Sequence, residues 1–319
     1  VAESSLSLTL TELQTALADY FRSTYAAIGT SLVDPVIKSG LRQFYFPHAL
    51  GEKYAHEWSF LRPTTTLTTS APYSTGTLTI VAGVCTLASG TFPSWAADGE
   101  LIIDGQTYTV STRDSGTQIT LDDTSVAASA GETYQLIRPV ITLPDAFGGL
   151  LSRLTWQPGQ AEWAALQQVS EFGIRDRRQY SDVVDVPQRF CVRPKTFTAA
   201  TGQRFEMVFD PVPDAAYIFT YTYRVRPDTL GSAEYPYGGM EHSETILASC
   251  MAAAELKRLD QRGEHFAYFL ERLQASISYD RMVGAPPSLG MDCDPDGLFS
   301  NDYRIGGGAI VPDGYSLGN

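Results

Sequence analysis

The sequence predicts an α+β chain: a helical layer with a small antiparallel sheet, an inserted small all-β barrel or sandwich, and an extended C-terminal tail. Three observations carry this. Stretches with helical period lie on both sides of a Thr-, Ser- and Gly-rich run that alternates like short strands. A second set of alternating strands precedes the last helices. From about residue 284 to Asn319, Gly, Pro, Asp and Ser dominate with no period. The expected parts are a body from 1–63 and 139–283, a β domain from 64–138, and an arm from 284–319.

The first helix is expected over residues 10–26. Thr9 and Glu12 have the spacing of a capping box, and Leu10, Leu13, Leu17, Tyr20 and Phe21 keep helical spacing. Asp34-Pro35 marks a second start, with Asp as cap and Pro at the first helical position. Val36, Ile37, Leu41, Phe44 and Tyr45 form its buried stripe, and Pro47 ends it. The aromatic segment from Tyr54 to Pro63, with Trp58 and Phe60 among charged neighbours, is expected to dock under the helices.

The β domain is expected to contain strands at 77–81, 84–87, 100–103, 106–111, 118–122 and 133–137, closed as a small barrel or sandwich. Asp104-Gly105 is its strongest hairpin signal, and Ser115-Gly116 is a second. The body resumes at Val140, with a helix over 161–172. Strands at 190–193, 204–210 and 217–226 are expected to form a three-stranded antiparallel sheet, the last two flanking the turn-rich Asp210 to Asp214.

The stretch from Met240 to Arg281 predicts two helices broken at Gly263, and it forms the spine. Ala248, Ser249, Ala252, Ala253 and Ala254 make the first one small-sided, suited to packing on several sides. Phe266, Phe269, Leu270, Leu273 and Ile277 give the second a single apolar face. Gly263 reads as the stop between them.

No stretch reaches the roughly 18 apolar residues that a membrane span needs. The start, VAESSLSLTLTEL, lacks a basic region followed by an apolar core, so no signal peptide is expected there. Cys85, Cys191, Cys250 and Cys293 are far apart, which argues against a structural zinc or a disulfide framework and suits a reducing compartment. The net charge of −13 is the reverse of what gripping nucleic acid through phosphates requires. Arg175, Arg177 and Arg178 read as a solvated or interface helix end.

His48, His56, His242 and His265 form no metal or catalytic pattern. Glu241-His242-Ser243-Glu244 reads as helix capping by Glu and Ser. No serine stands in a nucleophile elbow. Asp292 to Gly297 matches the first six positions of a calcium loop, but Tyr303 stands where a bidentate Glu is needed, so an acidic turn is the reading. Gly306-Gly307-Gly308 lacks the Lys of a phosphate loop. No catalytic, cofactor-binding or metal residue is assigned, no cofactor is expected, and the chain is not expected to be an enzyme.

The order of parts carries a resemblance. Helices lead to "FYFP…HEWSFLRP", then "LPDAFGGL", then "GQRFEMVFDPVPDAAYIFTYTYRVRP", then "YPYGGMEHSETILASCMAAAEL" and a helix ending "SISYDR". Over roughly 10–63 and 139–281 this resembles the head-to-tail adaptor (connector) proteins of tailed bacteriophages. The resemblance implies a structural virion protein of the neck, made in the host cytoplasm. It implies a homo-oligomeric ring, commonly of twelve copies, that joins the portal protein to a tail, stopper or terminator protein. Double-stranded DNA would pass through its channel without specific binding, and no membrane is involved. The inserted β domain and the long tail depart from the pattern, and the tail reads as an arm that could dock on a neighbour. The alternatives are another neck or tail protein (terminator or tube-associated), a carbohydrate-binding or adhesion module through 64–138, and a hydrolase assembled from distant residues such as Asp145 and Glu162.

Overall fold

Thr9 Oγ1 accepts the Glu12 N–H and the Glu12 carboxylate accepts the Thr9 N–H, which forms the predicted capping box. It opens α1 (Leu10–Tyr20) in the computed structural model, which describes residues 3–159, 165–180 and 183–283, with backbone alone for 128–130. This helix is shorter than the expected 10–26, because Arg22 turns into the left-handed region at φ +56°. A short α2 (Tyr25–Ile28) and a π-helical turn, Gly29–Val33, follow and run directly into α3 (Asp34–Tyr45). Since the chain is already helical at Val33, Asp34 does not cap. Its carboxylate instead accepts hydrogen bonds from Gln14 Nε2 and Tyr25 Oη.

The last helices are α5 (Gly239–Leu259) and α6 (Glu264–Val283). Leu13 and Leu17 of α1, Phe44 of α3, Ile246 of α5 and Phe269 of α6 share one buried cluster. As expected, α5 packs on several sides: Ala248, Ser249, Cys250, Ala252, Ala253 and Ala254 are all buried. The expected stop at Gly263 is corrected. Asp260 takes the left-handed cap at φ +53° with its N–H on Leu256, and Gly263 belongs to the start of α6. There the buried Glu255 carboxylate accepts the N–H groups of Gly263, His265 and Phe266, so α5 caps its successor. Trp58 is docked beneath α3 as expected, its Nε1 donating to the Phe44 carbonyl at 2.9 Å.

The body strands are β1 (Thr64–Thr68), then β9 (Val140–Thr142), β10 (Phe147–Leu150), β11 (Thr155–Trp156) and β12 (Gln167–Gln168), with the β-rich segment of 78–137 lying between β1 and β9. Helix α4 (Glu171–Arg178) and strands β13 (Val184–Asp185), β14 (Arg189–Pro194), β15 (Phe205–Asp210), β16 (Val212–Pro213) and β17 (Ile218–Val225) complete the body up to α5. β17 pairs antiparallel with β1, β10 and β11, while β15 pairs with β14 and β9. The expected three-stranded sheet is therefore corrected to two sheets. A tight hairpin between β15 and β17 is prevented because Pro211 and Pro213 cannot donate and Val212–Pro213 pairs with Val184–Asp185 instead. The two sheets pack face to face through Met207 and Phe209 against Phe219 and Tyr221.

Of the helix expected over 161–172, residues 160–164 lie outside the described residues, and 165–170 are not helical. Ser170 Oγ accepts the Gly173 N–H, so the cap places the helix start at Glu171. The Thr-rich run forms one antiparallel sheet of seven strands: β2 (Leu78–Val81), β3 (Val84–Leu87), β4 (Glu100–Ile103), β5 (Gln106–Arg113), β6 (Gln118–Leu121), β7 (Ala128–Glu132) and β8 (Gln135–Ile137). Its order is β7-β2-β3-β6-β5-β4-β8. The outer strands β7 and β8 are not partners, so the sheet curls around its core without closing as a barrel. Asp104 and Gly105 turn with φ +49° and +78°, the backbone of the predicted hairpin. Leu78, Leu101, Ile119 and Leu136 fill a core separate from the body's clusters. Thr64–Thr68, read in sequence as the start of this run, pairs with β17 instead. No helix among the described residues is long and apolar enough to cross a membrane.

At the crossing of α3 and α5, a Cβ added to Gly40 would lie 2.6 Å from Cys250 Cα. Gly40→Ala is therefore expected to cost about 2 kcal/mol in urea unfolding. Because the clash is with backbone, Cys250→Ala should not rescue it; full rescue would mean that the helix axes are free to separate.

Candidate functional site

Asp280 lies on the buried face of α6 and draws the aromatic segment down onto it. His56 Nε2 is 2.7 Å from Asp280 Oδ2, Ser59 Oγ donates to Oδ1 at 2.6 Å, and the Ser59 N–H donates to Oδ2 at 3.1 Å. Burial opposes ionisation of this carboxyl, but the Ser59 and His56 hydrogen bonds outweigh it and hold it below 3.8. The trio is Ser, His and Asp, yet both Ser59 and His56 use the same carboxylate. A hydroxyl is activated when the imidazole stands between it and the acid, and here it does not. The chemistry this arrangement performs is fastening a loop to a helix.

His56, Ser59 and Asp280 themselves line a cavity of about 560 Å³, together with His48, Glu57, Arg62 and Arg281. Glu57 bridges Arg62 and Arg224, which neutralises much of its wall. His242, further along the same layer, is buried with Nδ1 lacking any hydrogen-bond partner among the described residues. Phe44, Trp58, Phe60 and Tyr279 surround its ring. Burial lowers its pKa below 6.5, against the raising influence of Asp280 and Glu241, with His56 adding to the lowering. The capping role expected for Glu241 and Ser243 is corrected, because α5 starts on Gly238 at φ +120° without a side-chain cap. Ser243 Oγ instead accepts the Leu8 N–H and donates to the Gly239 carbonyl.

The Arg175, Arg177 and Arg178 cluster is an interface within the chain. Arg177 pairs with Asp210, while Arg178 reaches Glu100 of the seven-stranded sheet at 2.5 Å. With Lys195–Asp98 this fixes the sheet to the body across a cavity of about 300 Å³. Asp145 is exposed and paired with Arg204, and Glu162 lies outside the described residues, as do Cys293, Asp292 to Gly297, and Gly306 to Gly308. Burial pushes the Cys85 and Cys250 thiols up to about 12, leaving them protonated at neutral pH. Among the described residues no group of His, Cys, Asp and Glu could hold a metal.

Two pH windows follow. His242 binds its proton more readily unfolded, so its contribution is complete above about 6.5 and falls as pH drops through that value. Unfolding at pH 5 against pH 7.5 should show a loss that His242→Phe removes; an equal loss in both proteins would assign it elsewhere. Asp280, with a depressed pKa, contributes above its unfolded value and loses that contribution as pH falls through its folded one. Asp280→Asn should cost about 3 kcal/mol at pH 7, measured by urea denaturation, and should flatten the stability profile below pH 4.

No family model matches the chain, and no curated protein matches it.

Proposed function

We propose that this chain is a subunit of the head-to-tail adaptor ring of a tailed bacteriophage, a structural virion protein that joins the portal to the tail. The observation that carries this reading is how the two resembling stretches fit together. Residues 10–63 and 139–281 are separated by the seven-stranded sheet, yet Leu13, Phe44, Trp58 and Leu61 of the first share one core with Val225, Ile246, Phe269 and Leu273 of the second. The parts that resemble an adaptor therefore make one continuous body, and residues 78–137, with their own core, read as an inserted β domain. The net charge of −13 suits a wall past which DNA slides, since tight phosphate contacts would stall it.

Gentle native purification followed by electron microscopy tests the reading. The expected particle is a ring, located between capsid and tail when whole virions are imaged. A monomer with no virion partner at any concentration would refute the proposal and turn attention to ligands of the β domain.

A further inference from the structure

Helix α6 has a second apolar stripe that the described fold leaves largely open, although the Tyr279 ring also meets His242 at one edge. Phe269, Leu273 and Ile277 face the core, whereas Tyr268, Ala275, Tyr279 and Met282, spaced i, i+7, i+11 and i+14, share an exposed face about 150° away around the helix. Large side chains on this face are well exposed: Tyr268 at 49% and Met282 at 67%. Within the stripe sits Arg272, whose Nε is buried and without a hydrogen-bond partner, and whose side chain makes no ion pair among the described residues. Arg272 as a whole is only half-buried, so the rest of its guanidinium is open to an acidic partner beside the stripe.

The segment that continues from α6 has the matching composition. Residues 284–319 contain Asp292, Asp294, Asp296, Asp302 and Asp313 against the single basic Arg304, interleaved with apolar pairs such as Leu298-Phe299 and Ile310-Val311. From Tyr268 to Met282 the stripe is about 21 Å long at the helical rise per residue. About seven extended residues would span it, which leaves most of the segment free to reach it from elsewhere. At Val283 the helix points away from Tyr268, so the chain's own continuation must reverse to lie on the stripe, whereas one arriving from a neighbour can run along it.

We propose that the stripe Tyr268–Ala275–Tyr279–Met282 is the docking surface for residues 284–319 of the adjacent copy, with an aspartate of that segment paired to Arg272. The inference rests on the ring reading and names the surface that closes each subunit onto the next. Such a contact is heterologous, one patch on each copy meeting a different patch on the next, which is the type a closed ring needs.

The test places a photo-reactive p-benzoylphenylalanine at Ala275, an exposed position, in the full-length chain. Light and heavy isotope-labelled copies are mixed, assembled and irradiated. The expected product joins position 275 of one copy to residues 284–319 of another. Arg272→Gln should reduce its yield about fivefold while circular dichroism stays unchanged, and Asp292, Asp294 and Asp296 changed together to Asn should do the same. Rings that cross-link only within one copy, or to any other segment, overturn this inference and leave the ring standing. Copies that cross-link through 284–319 without forming rings keep the docking contact and refute the ring. No product between copies and no ring refutes both.

Discussion

The closeness of α3 and α5 is the constraint from which the body follows. Gly40 leaves no room for a methyl against Cys250, and the alanines and serines of α5 allow approach on its other sides as well. A helix buried to this degree has little free surface, so its neighbours must enclose it: α1 and α3 on one side, α6 on another. With α3 held there, the Phe44 carbonyl is fixed in place for Trp58, and Trp58 in turn sets where the chain passes from helices to sheets. β17 completes the connection, with Val225 in the helical core and Phe219 and Tyr221 in the core between the sheets. A shift of one helix axis would therefore be felt in both layers, because well-packed interiors transmit displacement.

Buried charge is handled consistently. Asp280 and Glu255 are both nearly inaccessible, and each is surrounded by donors: a hydroxyl, an N–H and an imidazole for the first, three backbone N–H groups for the second. In both, burial works against the charge and the donors overcome it. His242 differs from these carboxylates, a polar ring in an aromatic surround with one nitrogen unsatisfied, and the fold resists its charging. The remaining acidic excess lies outside these sites, where salt screens it over roughly 10 Å.

What was legible in the sequence was local. The Thr9–Glu12 box, the Asp104-Gly105 turn and the Phe269–Leu273–Ile277 face depend on residues a few positions apart, and all three formed. The failures were of two kinds. Where two local signals competed, the sharper one prevailed: the Ser170 cap against the apolar spacing of 161–172, and Asp260 in the left-handed region ahead of Gly263. Where the partner was distant, no signal existed. His56 and Asp280 are 224 residues apart, and nothing in HEWSF indicates which helix will receive it. The pairing of β1 with β17 was hidden for the same reason, since alternation identifies a strand but not its neighbour. Arg178 read only as part of a solvated or interface helix end, and nothing near it pointed to Glu100.

Tyr73 and Leu136 exchange both backbone hydrogen bonds at 2.8 Å, so the chain entering the seven-stranded sheet and the strand leaving it meet at its base. The two ends of everything between them are thus already a hairpin's width apart. A gene could lose or replace that whole stretch and rejoin the flanking chain with a tight turn, leaving the helices and both body sheets on their existing course.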